Sequence, residues 1–182
     1  MPRLIALLRA INVGGHTVKM DHLRRLFEAL GLSNVETFIA SGNVIFEAPA
    51  ADPPALEKQI ESHLRQSLGY EVTTFIRSTS ELAAIAGHRP FPAAELDSEG
   101  SSLYIAFLPA LPGGESHDRL MALRTEVDDF HIHEREVYWL CRRQLGESSF
   151  SGARLEKTLG MPATVRNATT VRRLAAKYPA AS

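Results

Sequence analysis

An internal duplication constrains the fold of this chain more than any other feature of its sequence. Segment 64–85 reads LRQSLGYEVTTFIRSTSELAAI, and segment 155–177 reads LEKTLGMPATVRNATTVRRLAAK. The residues that coincide are Leu64 with Leu155, Leu68 with Leu159, Gly69 with Gly160 and Thr73 with Thr164. Each segment predicts the end of a helix, a glycine stop, a short strand and a new helix. Because each copy of a repeat forms the same structural unit, we expect two similar halves.

Hydrophobic periodicity and glycine stops divide the first half, 1–77, into strands and helices. The strands are predicted at 4–11, 35–39, 43–46 and 72–76, and the helices at 20–30 and 56–68. Their order along the chain, βαββαβ, is that of a ferredoxin-like unit. The spacing of Ser78 and Glu81 then predicts a capping box at the start of a short extra helix, 82–86.

The same order returns after a connecting segment, 78–102, which contains this extra helix and a stretch rich in proline, alanine, serine and glycine. The second half is predicted to have strands at 103–108, 130–133, 137–141 and 163–165 and helices at 118–127, 154–159 and 169–177. The sequence therefore predicts an α+β protein of two tandem ferredoxin-like (βαββαβ) halves, 1–77 and 103–182. Each half is followed by an extra helix.

The first strand of each half shows no alternation of apolar and polar residues. A sheet with one face in water alternates, so the runs 4–8 and 103–108 predict strands that are covered on both faces. Helices of the same half cover one face. We expect the other face to be covered by the companion half, by the extra helices or by a second copy of the chain in a homodimer.

Composition and charge restrict the classes of protein to consider. The 182 residues carry a net charge of −1, which argues against general binding to polyanions. A single cysteine, Cys141, excludes an internal disulfide framework and favours a reducing compartment. The opening segment is too short and too charged for a signal peptide, and no segment has the length of a membrane span. We therefore expect a cytoplasmic protein without a membrane partner.

Polar and glycine residues cluster in two bends of the first half, and the βαββαβ order places both bends at one end of the sheet. Backbone amides of glycine-rich turns can converge on an anion or a carbonyl group. The candidate ligand-binding residues are Arg9, Asn12, Gly14, Gly15, His16, Lys19, Ser41, Gly42 and Asn43. The alternative is that these glycines only form tight turns and that Arg9 is paired inside the protein.

The leading functional hypothesis is a non-catalytic module that binds a small anionic ligand or a protein partner at these bends, without a cofactor. A first alternative is an enzyme of unknown class that uses the same pocket, with His16 as an acid or base. A second alternative is nucleic-acid binding, because basic residues predominate after residue 142. Arg166, Arg172 and Arg173 would then contact phosphates, and the second half also offers aromatic residues for stacking on bases, such as Tyr104 and Trp139.

A histidine pair in the second half raises the question of a metal. On a strand, His131 and His133 point to the same face, as the histidines of metal-binding pairs do. A transition metal needs three or four ligands, and no cysteine cluster or HExxH helix accompanies the pair. The sequence therefore predicts a solvated hairpin face here and no metal site.

The opening of the chain resembles domain-of-unknown-function family 1697, a family of uncharacterised bacterial proteins with an α+β fold. The features that carry the resemblance are LLRAINVGG at 7–15 with Lys19 and Met20, SGN at 41–43, Pro90 with Phe91, and Thr164, Arg166, Asn167 and Thr170. Ala10 stands where the family usually has glycine, and Ala168 where an aromatic residue is common. The resemblance implies the fold and supplies no activity.

Overall fold

The computed structural model describes residues 1–11, 17–39, 42–49, 52–143 and 148–180. It divides the chain into two compact units. The first is Met1–Leu82 together with the C-terminal segment that starts at Tyr178, and the second is Ala83–Lys177. None of the helices in these ranges is both long and apolar enough to cross a bilayer.

A four-stranded antiparallel sheet forms the centre of the first unit. The elements are β1 (Arg3–Leu8), α1 (Met20–Glu28), β2 (Ser33–Thr37), β3 (Asn43–Glu47), α2 (Pro53–Leu68) and β4 (Thr74–Ser78), and the strand order is β2-β3-β1-β4. Leu4, Ala6 and Leu8 of β1 pack in one apolar cluster with residues of α1 and α2. Ile5 and Leu7 point to the opposite face and are fully buried, so both faces of β1 are covered, as the sequence predicts.

The second unit has a sheet with the same strand order. Its elements are α4 (Ala93–Leu96), β5 (Ser102–Phe107), α5 (Gly114–Met121), β6 (Asp128–His133), β7 (Glu136–Cys141), α6 (Gly152–Leu159), β8 (Thr164–Asn167) and α7 (Ala168–Lys177). The sheet order is β6-β7-β5-β8, again antiparallel throughout. On one face, Ala106 and Trp139 pack with residues of α5 and α6. Ile105 and Tyr138 are buried on the other face.

Several helix ends lie where short sequence signals predict them. Gly69 and Gly160 are the C-caps of α2 and α6, with φ angles of +85° and +70°, the left-handed conformation of a glycine that ends a helix. Gly31 has φ +83° but lies two residues after Ala29, the right-handed C-cap of α1. At the start of α3 (Thr79–Gly87), the backbone N–H of Ser78 donates to Glu81 Oε1, and the N–H of Glu81 donates to Ser78 Oγ, each at 3.0 Å. This is the predicted capping box.

Helix α5 differs from its prediction because it lies earlier in the chain. It spans Gly114–Met121, whereas the sequence predicts a helix at 118–127. The later part of the predicted span forms a turn in which Thr125 Oγ1 accepts hydrogen bonds from the N–H groups of Val127 and Asp128. Val127 still packs against the apolar cluster. Leu120, Leu123 and Val127 therefore contact the same core, as the helical spacing predicts, although Val127 is not in a helix.

Helix carboxylates cover part of the outer edge of β4. Glu57 and Glu61 lie one turn apart on α2. Their Oε2 atoms accept hydrogen bonds from the backbone N–H groups of Ile76 at 2.8 Å and Thr74 at 2.9 Å. In the second unit, Glu156 of α6 accepts one from the N–H of Ala163 at 2.9 Å, just before β8. These bonds use backbone groups that an edge strand otherwise leaves open.

Candidate functional site

The end of β1 and the hairpin between β2 and β3 meet at one end of the first sheet. The N–H of Leu8 donates to the carbonyl of Gly42 at 2.8 Å. Gly42 has φ +82°, and a Cβ added to it would lie 2.9 Å from Cγ2 of Ile11. The connection that follows α2 lies there too, because the Tyr70 hydroxyl donates to the carbonyl of Ile11 at 2.9 Å. The chain thus enters the predicted glycine loop directly beside Gly42.

Four of the nine predicted ligand-binding residues belong to the described part of the chain. Arg9 is half-buried, and its N–H donates to the carbonyl of Thr73 at 2.9 Å. Lys19 is exposed at the start of α1, and Gly42 is buried. Asn43 is fully buried, and its Nδ2 donates to the carbonyl of Phe38 at 2.9 Å, so this amide holds the hairpin together. The others, Asn12, Gly14, Gly15, His16 and Ser41, lie outside the described residues.

A polar pocket of about 150 Å³ lies at the start of α7 in the second unit. Side chains from the connecting segment, the start of β5 and the first turns of α7 line it. Among its lining residues are Arg89, Asp97, Ser101, Ser102, Thr169 and Arg172. Asn167 Oδ1 accepts a hydrogen bond from the N–H of Thr169 at 2.8 Å and so caps α7. The pocket therefore combines two guanidinium groups with the positive end of a helix dipole.

The charge in this pocket favours an anion. Arg89 and Arg172 contribute two positive charges against one negative charge from Asp97. The Nε atom of Arg172 is buried and has no hydrogen-bond partner among the residues that the structure describes. A buried donor without a partner costs free energy that an added acceptor recovers. A groove of about 310 Å³ in the first unit is less suited to an anion, because Glu61 and Glu71 line it together with Arg65.

The three arginines proposed to contact nucleic acid differ in environment. Arg166 is only 8% exposed, and its Nη1 donates to Thr164 Oγ1 at 2.7 Å. Burial lowers the pKa of Arg166 to about 10. A guanidinium enclosed in this way does not reach a phosphate backbone outside the protein. Arg172 lines the polar pocket, and Arg173 is exposed on α7.

Two aromatic residues of the second sheet, Tyr104 and Trp139, face its helices. Tyr104 and Trp139 are directly opposite on β5 and β7, with ring centroids 5.0 Å apart. Together with Phe150 they line an apolar groove of about 370 Å³ near the start of α6. On the opposite face of the sheet, Phe107 and Tyr138 are fully buried. Bases stack on the open face of an RNA-recognition sheet, and here the aromatic residues do not form such a platform.

Three histidines meet on one side of the β6–β7 hairpin. His88, which follows α3, joins His131 and His133 of β6, and one ring nitrogen from each lies within 4.8 Å of the other two. The ring centroids of His88 and His133 are 4.0 Å apart, and those of His88 and His131 are 5.3 Å apart. The Tyr138 ring lies 5.1 Å from that of His88, and its hydroxyl donates to the carbonyl of Ile85 at 2.8 Å.

Two of these histidines are shifted toward the neutral form. Burial lowers the pKa of His88, and the imidazoles of His133 and His131 lower it further. Burial also lowers the pKa of His131, helped by His133 and His117 and opposed by the carboxylate of Asp129. The Nε2 atom of His88 is buried without a hydrogen-bond partner within the described ranges. At His88 and His131 the surroundings thus favour the uncharged imidazole, the form that binds metal ions.

Sequence reasoning missed both clusters of the second unit because each one joins distant parts of the chain. His88 lies far from the histidine pair, in a segment predicted only as a connection. Arg89 and Arg172 come from that segment and from α7. The histidine pair was the available local signal, and the third histidine is brought to it only by the tertiary fold.

The described residues form an α+β protein with two four-stranded antiparallel sheets and seven helices. A family model described as "Protein of unknown function (DUF1697)" matches residues 1–138, and the chain belongs to that family. The family predicted from the opening of the chain is thereby confirmed. The chain is also similar to the solved structure of conserved bacterial protein SP0830 from Streptococcus pneumoniae, with 24% identity and a TM-score of 0.68. The match covers 96% of this chain and 97% of that one, and it concerns the fold alone. None of the curated proteins matches significantly.

Proposed function

We propose that this protein is a non-catalytic binding module for a small anionic ligand, and that it works in the cytoplasm. The observation that carries the proposal is the polar pocket at the start of α7, where Arg89 and Arg172 stand against the single acid Asp97. Its volume of about 150 Å³ suits a phosphate or carboxylate group better than a large metabolite. The glycine loop of the first half stays a second predicted site for the same class of ligand.

Arg172 has the central role in this proposal. Its side chain lines the pocket, and its Nε is buried and lacks a partner among the described residues. An anion that reached this nitrogen would supply the missing acceptor. A planar guanidinium can hold an oxyanion by two parallel hydrogen bonds. Arg89, which also lines the pocket, would add charge, and the start of α7 would add the partial positive charge of a helix N-terminus.

The same arrangement favours a small anion over nucleic acid. Binding along a phosphate backbone needs several exposed cations in a row. Arg166 is enclosed in the protein, and Arg172 points into a pocket. Of the three arginines in the nucleic-acid hypothesis, Arg173 is the one in the exposed class.

We also infer that each sheet, with its two helices, is a ferredoxin-like half. The support is the element order βαββαβ and the strand order of both sheets, in which the first and third strands of each half are central. The extra helices α3 and α7 then occupy equivalent places after the last strand of each half. On this reading, the pocket lies where the second half and its extra helix join.

Thermal unfolding in the presence of inorganic phosphate tests the proposed binding. At a concentration of ten times Kd, a ligand adds RT ln 11, or about 1.4 kcal/mol, to the free energy of unfolding. For a chain of this length, that corresponds to a rise in Tm of roughly 3 to 6 °C. We expect Arg172→Gln and Arg89→Gln to abolish the rise. Arg173→Gln, the matched change at the next residue of the same helix, should leave it intact.

Three outcomes of these measurements would overturn the proposal. If phosphate, sulfate and small carboxylates all fail to raise Tm at millimolar concentrations, the pocket does not bind small anions. If phosphate raises the Tm of Arg172→Gln and Arg89→Gln as much as that of the wild type, the anion binds elsewhere. Protection that is equally lost in Arg173→Gln would indicate a general charge effect and would contradict a specific site.

A further inference from the structure

We propose that His88, His131 and His133 form a binding site for a divalent transition metal ion of the zinc type. The three side chains come from two places in the chain, the residue after α3 and the outer half of β6. One ring nitrogen from each lies within 4.8 Å of the other two. Imidazole nitrogen is a preferred ligand of zinc, copper and nickel, and three such ligands complete the protein part of many zinc sites.

The cluster must contract and its rings must turn before it can hold an ion. In a tetrahedral site with Zn–N bonds of about 2.0 to 2.1 Å, ligand nitrogens lie roughly 3.3 Å apart. The rings of His88 and His133 are nearly parallel, with an interplanar angle of 12°, and their centroids are 4.0 Å apart. The lone pairs of stacked rings lie in parallel planes and do not converge on one point. Rotation of the imidazoles about their side-chain torsions is therefore the movement that would bring the lone pairs together.

One nitrogen of the cluster lacks a partner. The Nε2 atom of His88 is buried and has no hydrogen-bond partner within the described ranges. Buried polar atoms are nearly always paired, and a metal ion bound at this nitrogen would supply the partner.

The scaffold fixes the distance between the two parts of the site. Tyr138 lies opposite His131 on β7, and its buried hydroxyl donates to the carbonyl of Ile85 in α3. This bond ties the last turns of α3 to the hairpin, three residues before His88. Its ring also contacts that of His88 at 5.1 Å between centroids. The position of His88 is thus fixed by buried contacts with Tyr138.

The site leaves one coordination position open. Three histidines satisfy three of the four positions of a tetrahedral zinc ion. His133 is exposed, so the fourth position faces solvent and would take water or a small oxygen ligand. This inference does not rest on the anion pocket, because that pocket and this cluster share no residue.

Metal titration of the tag-free protein tests the site, with Zn²⁺ measured by competition against a chromophoric chelator. We expect one equivalent of Zn²⁺ to bind. Loss of an outer-shell partner alone weakens metal sites by about 10- to 100-fold. His133→Gln and His88→Gln each remove a ligand and should weaken binding by more than about 100-fold. His22→Gln, which removes an exposed histidine in the other unit, should bind as the wild type does.

Two further measurements keep the test decisive. His133 is exposed, so His133→Gln should unfold like the wild type without metal, and a loss of affinity then cannot be ascribed to misfolding. Co²⁺ should produce the intense visible absorption of a tetrahedral site in the wild type and not in His133→Gln. Absence of saturable one-to-one binding in the wild type would overturn the proposal. Affinity that is unchanged in both ligand variants would do the same.

Discussion

Substitution of Gly42 by alanine should destabilise the first unit much more than the same change at a comparable glycine. Gly42 has φ +82°, and an alanine in this conformation costs about 1 to 2 kcal/mol. The new Cβ would also lie 2.9 Å from Cγ2 of Ile11, 3.1 Å from Cβ of Leu8 and 3.2 Å from the carbonyl oxygen of Leu8. Forcing an extra group into a packed site adds about 1 to 3 kcal/mol. The expected loss is therefore about 2 to 5 kcal/mol.

Gly69→Ala is the matched control for this prediction. Gly69 has almost the same φ, +85°, but nothing lies within 4 Å of a Cβ added there. Its replacement should therefore cost only the conformational part, about 1 to 2 kcal/mol. Urea unfolding followed by far-ultraviolet circular dichroism measures both variants. If the two losses agree within about 0.5 kcal/mol, the close approach of Ile11 and Leu8 to Gly42 is refuted. The convergence of the two bends would then lose its support.

Two further predictions concern the second unit. Asp128→Ala removes the acceptor of the Trp139 Nε1–H bond at 2.7 Å and should lower the free energy of unfolding by about 2 to 3 kcal/mol, measured by urea unfolding and the fluorescence of the single tryptophan. The control Asp129→Ala loses a partly exposed ion pair to Arg142 and should lower it by less than about 1 kcal/mol. Equal losses in the two variants would contradict this explanation. The pKa of His88 is lowered by burial and by His133 and His131, so the unfolded chain takes up a proton there more readily, and metal-free protein should lose stability as the pH falls below about 6.5. His88→Gln should show a shallower loss over this window, and an unchanged pH dependence of Tm would show that His88 does not contribute.

The parts of the fold that could be predicted from the sequence depend on interactions between near neighbours. Glycine stops at Gly69 and Gly160 and the capping box at Ser78 need only a few consecutive residues, and the structure has each of them. The helix predicted at 118–127 failed because spacing records burial and does not distinguish a helix from a turn packed on the same core. The extra helical turn at 93–96 in the connecting segment gave no periodic signal at all.

The candidate sites were harder to predict for the same reason. Arg166 carries a charge, and a charged residue is expected at the surface, but its guanidinium is enclosed beside Thr164. His88 and Arg89 stand next to each other in a segment without regular structure, and their partners come from β6 and α7. No local sequence pattern predicts these contacts between distant parts of the chain. They result from the packing of the connecting segment against the second sheet.

The glutamates on α2 have a consequence for how copies of this chain can associate. An uncovered edge strand invites a neighbour to continue the ladder, which leads to open-ended polymers as easily as to pairs. At β4 the outward amides of Thr74 and Ile76 already have carboxylate acceptors, and an arriving strand would have to displace both. Growth of the first sheet along that border is therefore blocked by the protein's own side chains. A dimer is therefore not expected to form by strand addition at β4, and concentrated solutions should resist fibril formation from this edge.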